Sequence, residues 1–320
     1  MTTRKNLIID TDLHSDVDDA GALLLGATLP NVNLLGVNVN HPCSYSALAA
    51  SAIVAHYGHP KTPIGIRRPM NDVRFFDAWD YKRGEYTSKV AYHWSGGTLP
   101  WGKAEQAWDP VVLYRKLLAE SEDGSVTIAS IGFLDNLSGL LNSKPDEYSQ
   151  LDGRELARTK VAELVVMGGK YPKGRSWNFW GSKPALAAHV LETWNGPITF
   201  VGTTVGREVL IGGPLMASDL EDDPVRMAYL YYGFGKPLPS WDPLTIMYAA
   251  NGLGDMFDVA EDRGYNKIKP EDGSNEWIND GVSHGRRTLK LKVSNETAAA
   301  ELDRLFLDAA RRHSKHAGTA

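Results

Sequence analysis

Short apolar runs rich in β-branched residues recur along the chain and alternate with longer helix-like stretches. The runs are Leu7 to Ile9, Leu34 to Val39, Pro63 to Ile66, Val126 to Ser130, Val161 to Met167 and Ile198 to Val201. Continuous apolar runs of this length suit strands buried on both faces. Between them, Asp19 to Leu29, Ser44 to Tyr57, Trp108 to Glu120 and Pro184 to Trp194 read as helices. Alternation of this kind predicts an α/β fold with an open, mainly parallel twisted sheet, helices on both faces and a Rossmann-like core. The carboxyl end reads as a strand, Thr288 to Val293, followed by a closing amphipathic helix, Glu296 to Arg312.

Open sheets bind ligands at the carboxyl ends of their strands, so the residues that follow each apolar run are the candidates for chemistry. The segment from Arg67 to Gly102 is long, aromatic and punctuated by Gly and Pro, which reads as a loop covering the substrate. With no linker and no internal repeat, residues 1–320 are expected to form one domain, since α/β cores of this size often stay continuous.

Composition acts mainly by exclusion. At 42% hydrophobic and 23% charged residues the chain belongs among globular enzymes rather than disordered or fibrous proteins. A net charge of −5 with scattered Lys and Arg argues against nucleic acid polymers as partners. The single cysteine, Cys43, rules out a disulfide framework, and MTTRKNLIID lacks an apolar signal segment, so a cytoplasmic location is expected. The Asn136 and Asn295 sequons are then chance matches. No membrane association is expected, because no apolar stretch reaches the ~18 to 20 residues of a span.

The densest chemical signal is Asp10-Thr-Asp12-Leu-His-Ser-Asp16-Val-Asp18-Asp19, five carboxylates in ten residues where the first strand ends and the first helix begins. Like charges within about 4 to 6 Å raise one another's pKa and destabilise the fold unless a cation or hydrogen-bond donors compensate. A helix amino terminus supplies part of that compensation. Oxygen-only ligation suits calcium or magnesium, whereas Cys43 and the nine histidines show no zinc spacing. An EF-hand loop counted from Asp10 would need Gly and Glu where Ser15 and Gly21 stand. A haloacid dehalogenase-type phosphohydrolase, with Asp10 as nucleophile and Asp12 as acid, expects Thr or Val where His14 stands.

The run Asp10-Thr-Asp12 followed by Asp18-Asp19-Ala20-Gly-Ala-Leu23 resembles the amino-terminal signature of the inosine-uridine-preferring nucleoside hydrolase family, with two extra residues before the paired aspartates. Further segments are similar in the correct order as far as about residue 250. They are Asn38-Val-Asn40-His41-Pro42, Ser130-Ile131-Gly132-Phe-Leu-Asp-Asn136-Leu, Val165-Val-Met167-Gly168-Gly169, Ser176-Trp177-Asn178-Phe179 and Ser240-Trp241-Asp242-Pro243-Leu244. The resemblance implies hydrolysis of the N-glycosidic bond of ribonucleosides. It implies a calcium ion held by Asp12, Asp19, Asp242 and the Ile131 carbonyl, with Asp12 also the general base, and Asp18, Asn40, Met167 and Asn178 lining the nucleoside. Assembly as a homodimer or homotetramer is implied as well.

Two positions depart from the family pattern. Ser176 replaces a ribose-binding Glu, and Trp241 replaces a His that serves some members as the leaving-group acid. Without that acid, stacking of the base on Trp241, with Trp79 of the covering loop opposite, would favour its protonated form by cation–π attraction, about 0.5 to 2 kcal/mol per ring. Only a purine offers a suitable ring nitrogen, so purine preference is expected. The same two departures keep open a catalytically silent nucleoside- or calcium-binding protein. The magnesium phosphohydrolase is the other alternative, which release of phosphate would distinguish.

Overall fold

The computed structural model describes residues 4–72 and 81–314, the side chains of 81–84 excepted. Five strands position the site: β1 (Lys5–Thr11), β2 (Val32–Val39), β3 (Ile64–Ile66), β4 (Val126–Ser130) and β5 (Val161–Met167). They belong to an eight-stranded sheet in the order Phe257–Glu261, Arg286–Leu291, Ile198–Val201, β5, β4, β1, β2, β3. Every neighbouring pair is parallel except the edge strand Phe257–Glu261, which runs antiparallel to Arg286–Leu291.

The strand period separates two cores. Leu7 and Ile9 pack with the helices Asp18–Thr28 (α1), Ser44–His56, Trp241–Asn251 and Asn295–His313, while Ile8 points to the other face, against Pro110–Ala119, Asp135–Leu141 and Pro184–Thr193. Both faces of β1 are therefore apolar, which explains its unbroken hydrophobic run. Among the described residues no helix is long and apolar enough to cross a membrane.

The expected strands and helices recur with ends shifted by a residue or two, as with Leu34 to Val39 against Val32–Val39. The 67–102 segment differs. It contains a helix, Tyr81–His93, which packs against Ser44–His56 and Pro224–Gly233. Tyr86, Thr87, Val90 and Ala91 are its buried positions among the described side chains, and so few apolar residues among polar ones hide the period from inspection. Six short strands among the described residues also went unpredicted: Leu210–Ile211 and Leu238–Pro239, which pair with each other, Phe257–Glu261, and the antiparallel sheet of Tyr265–Ile268, Ser274–Ile278 and Lys173–Arg175. In Tyr265–Ile268 only Asn266 and Ile268 are buried, a two-residue signal too short to stand out.

The chain runs outward from β1 through β2 to β3, then returns to lay β4 on the other side of β1. Strand order reverses there, so a crevice opens between the carboxyl ends of β1 and β4. Pairing continues past the strand ends, the Ile131 N–H donating to the Asp10 carbonyl at 2.7 Å and the Asn40 N–H to the Thr11 carbonyl at 2.9 Å. Gly132 lies against this junction, where a Cβ would stand 2.3 Å from the Asp12 nitrogen and 2.8 Å from Asn40 Nδ2. Backbone cannot rotate aside. Gly132→Ala should therefore cost about 1 to 3 kcal/mol of stability through overpacking, read as a lower urea midpoint; an unchanged midpoint would show that the junction yields.

Candidate active site

Asp10 ends β1 buried, with Oδ1 accepting from Asn40 Nδ2 at 2.6 Å and Asn136 Nδ2 at 3.2 Å, and Oδ2 from the Tyr114 hydroxyl at 2.6 Å. Burial outweighs these donors and pushes its carboxyl up to about 7. Asp10 knits β1, β2 and the helix Asp135–Leu141 together. Its oxygens are occupied and it lies outside the cavity lining, which deprives a phosphohydrolase mechanism of its nucleophile.

Beyond Thr11 the chain turns tightly. The Leu13 N–H donates to Thr11 Oγ1 at 3.1 Å, the Ser15 N–H to the Asp12 carbonyl at 3.1 Å, and the Ser15 hydroxyl to Asp12 Oδ2 at 2.7 Å. His14 adopts a φ of +138° within this turn, a backbone region that disfavours side chains. The turn brings the following aspartates back over the crevice. Asp16, Asp18, Asp19 and Asp242 each present an oxygen, all within 4.8 Å of one another.

Asp242 arrives from the first turn of Trp241–Asn251. Ser240 precedes that helix without a side-chain cap, and Asp18 Oδ2 instead accepts the Trp241 and Asp242 N–H groups at 2.8 and 3.0 Å. One carboxylate thus satisfies helix-terminal donors while it docks Asp242 beside the cluster. Thr11 donates its hydroxyl to Asp19 Oδ1, whereas Asp19 Oδ2 is buried with no hydrogen-bond partner among the described residues.

Burial is the main force on these groups, raising Asp12 to about 8 with Asp16 beside it contributing repulsion. Burial and then neighbouring aspartates push Asp18, Asp19 and Asp242 well above the usual carboxylate range. Burial also raises Asp16, against hydrogen bonds to Asp18 and Asp19 that lower it. No lysine or arginine lines the cavity among the described residues, so protons or a cation must neutralise the cluster. The oxygen-only donor set and the orphaned Asp19 oxygen fit a hard metal ion.

The carboxylates line a cavity of about 400 Å³ together with Ile131, Met167, Trp177 and Trp241. Asn178, a cavity-lining residue, donates through Nδ2 to the Ile131 and Met167 carbonyls at 3.0 and 3.1 Å, and its amide oxygen accepts no hydrogen bond among the described residues. The Trp241 indole N–H donates to the Thr203 carbonyl at 2.8 Å, fixing the ring.

Of the sequence-predicted residues, Asp12, Asp18, Ile131, Met167, Asn178, Trp241 and Asp242 line this cavity, and Asp19 joins them through the carboxylate cluster. Asn40 does not line it. Its amide is committed to Asp10 and to the Phe133 N–H, which it accepts at 3.1 Å, so it braces the junction of β1, β2 and β4 rather than facing a ligand. Trp79 lies outside the described residues. Asp16, expected only to support the loop, stands among the four clustered carboxylates. Sequence reasoning missed Trp177, Trp180, Thr203 and Tyr232 as lining residues. The Trp177/Trp180 pair was findable, since two tryptophans three apart flank Asn178; their rings meet edge to face with centroids 4.6 Å apart.

The sequence matches the family model described as inosine-uridine preferring nucleoside hydrolase over residues 7–314. Among solved structures, an inosine-uridine preferring nucleoside hydrolase from Bacillus anthracis is similar at TM-score 0.68 and 20% identity, covering 97% of this chain and 99% of that one. A purine-preferring ribonucleoside hydrolase from Gardnerella vaginalis gives TM-score 0.68 at 15% identity, with 98% and 100% covered. A plant nucleoside hydrolase gives 0.65 at 16% identity, with 97% and 99% covered. At these identities the likeness speaks for the fold. No curated protein matches the sequence.

Proposed function

The chain belongs to the inosine-uridine preferring nucleoside hydrolase family and is a nucleoside N-ribohydrolase, and from that premise we propose that its reaction requires calcium and favours purine ribonucleosides. The observation that carries this reading is the meeting of a carboxylate cluster with an aromatic wall in one cavity of about 400 Å³, a volume within the range of small-ligand sites. Asp12, Asp19, Asp242 and the Ile131 carbonyl would hold the ion, with Asp16 as a further candidate. When bound, calcium supplies a counter-charge, an anchor for sugar hydroxyls and a water of lowered pKa.

The chain's own residues do the rest. Asp12 takes the proton of the attacking water. Asp18 and the Asn178 amide oxygen accept from ribose hydroxyls and fix C1′ within the ~3 to 3.5 Å that attack requires. Ser176 carries a buried hydroxyl without a hydrogen-bond partner among the described residues and lines the cavity, a neutral sugar contact in place of a carboxylate. The departing base stacks on Trp241, its bond to Thr203 presetting the ring for the cationic form of a purine. Trp177 and Trp180 widen the aromatic surface. The similar Gardnerella vaginalis enzyme is a purine-preferring ribonucleoside hydrolase. The chain functions as one domain in the cytoplasm, as a homodimer or homotetramer.

Steady-state kinetics on inosine, adenosine, guanosine, uridine and cytidine test this reading. Inosine should exceed uridine in kcat/KM by tenfold or more, since about 1.4 kcal/mol separates a tenfold change. Trp241→Ala should narrow that ratio by depressing the purine values. Equal turnover of uridine and inosine by the wild type would defeat the stacking argument, and no release of reducing sugar from any nucleoside would favour a silent binding protein.

A further inference from the structure

The carboxylate turn is held from outside the sheet. The helix Tyr81–His93 packs against Ser44–His56 and Pro224–Gly233, and its buried Tyr86 donates its hydroxyl to the backbone carbonyl of Asp16. The next residue, Thr87, is also buried and pairs its hydroxyl with His14 Nδ1 at 2.9 Å. The His14 ring in turn stacks on His41, centroids 4.6 Å apart and planes 19° from parallel.

These contacts fall where the backbone needs holding. His14 has a φ of +138°, and a residue in such a conformation persists only when its surroundings over-determine it. Two residues later comes Asp16, which shares the four-carboxylate cluster with Asp18, Asp19 and Asp242. Asp18 and Asp19 are carried by α1 and Asp242 by the first turn of its own helix. Asp16 alone of the four sits on irregular backbone, between the strained His14 and α1, and one of its fixed points is the Tyr86 hydroxyl. The ring of Tyr86 also meets Tyr232 edge to face at 5.9 Å, and Tyr232 lines the cavity.

We propose that Tyr86 and Thr87 are positioning residues that hold Asp16 in the cation site, so that the helix Tyr81–His93 sets the affinity for the ion. The inference rests on the reading of the carboxylates as a cation site. Neither side chain touches the ion or substrate; both act through the backbone of the turn. Groups that orient ligands of a metal typically change its affinity 10- to 100-fold when removed.

Calorimetric titration of calcium into the metal-free full-length protein, without substrate, reads this directly. Tyr86→Phe, which keeps the ring and deletes one donor, and Thr87→Val, which keeps the shape, should each raise the calcium Kd about 10-fold or more. Thr87→Ser should restore binding to near the wild-type value. Asp16→Asn should weaken binding too, and adding Tyr86→Phe to it should produce little further loss, because both act on one contact. Melting temperatures without calcium confirm folding, and should Tyr86→Phe fail to fold, the Thr87 pair carries the comparison. Wild-type calcium affinity in both Tyr86→Phe and Thr87→Val, or in Asp16→Asn, overturns the proposal. Absence of calcium binding by the wild type defeats the cation-site reading itself, which is a separate result.

Discussion

Removal of calcium should abolish nucleoside turnover and leave a protein whose stability falls as pH rises. Asp12, Asp18, Asp19 and Asp242 are buried and Asp16 is half-buried, and all five are raised in pKa. In the unfolded chain each carboxyl ionises near its ordinary pKa of about 4. Between that value and the raised folded values, Asp12 reaching about 8, the folded state binds more protons than the unfolded one. Stability contributed by these groups is therefore present at low pH and lost as pH climbs through that window. Bound calcium would reverse the trend by favouring the ionised cluster, and its uptake would release protons. Thermal denaturation with a calcium chelator should give a lower Tm at pH 8 than at pH 6, with added calcium raising Tm more at pH 8. Full activity in a sample verified to be calcium-free, or a metal-free Tm that climbs from pH 6 to pH 8, would contradict the account.

The acidic run was legible because clustered carboxylates at a strand's end are costly without a counter-charge, a constraint written into ten consecutive residues. Ile131, Met167 and Asp242 were legible for a related reason, each following an apolar run or opening a helix at the rim of the sheet. Asn40 stands away from the cavity: sequence shows that a polar residue follows β2 but not which way it turns, and a buried Asp10 on the neighbouring strand claims it. Asp16 was undervalued because its placement depends on Tyr86 and Thr87, some seventy residues distant in sequence. The helix Tyr81–His93 escaped notice for the same cause. Its partners are long-range, and tertiary packing rather than its own period stabilises it.

Asp12→Asn should lower kcat by about 100-fold to 10,000-fold, the usual cost of losing a general base, with far less effect on KM. The substitution keeps the shape of the side chain, and the Ser15 hydroxyl that reaches Asp12 Oδ2 at 2.7 Å can donate equally to an amide oxygen. The turn should therefore stand, and calorimetry would show how much calcium binding survives. What the variant cannot do is take a proton from water. Asp12 itself can do so only when ionised, and burial with Asp16 alongside holds it near 8 in the absence of a counter-charge. On the proposed roles, base function and cation binding would be coupled in one group. In the calcium-loaded wild type the acid limb of kcat/KM should fall well below pH 8, and Asp12→Asn should flatten that limb along with the loss of rate. A variant that retains calcium and keeps kcat within about twofold of wild type, where a base is worth at least 100-fold, would remove Asp12 from the chemistry and pass the role of base to another carboxylate of the cluster.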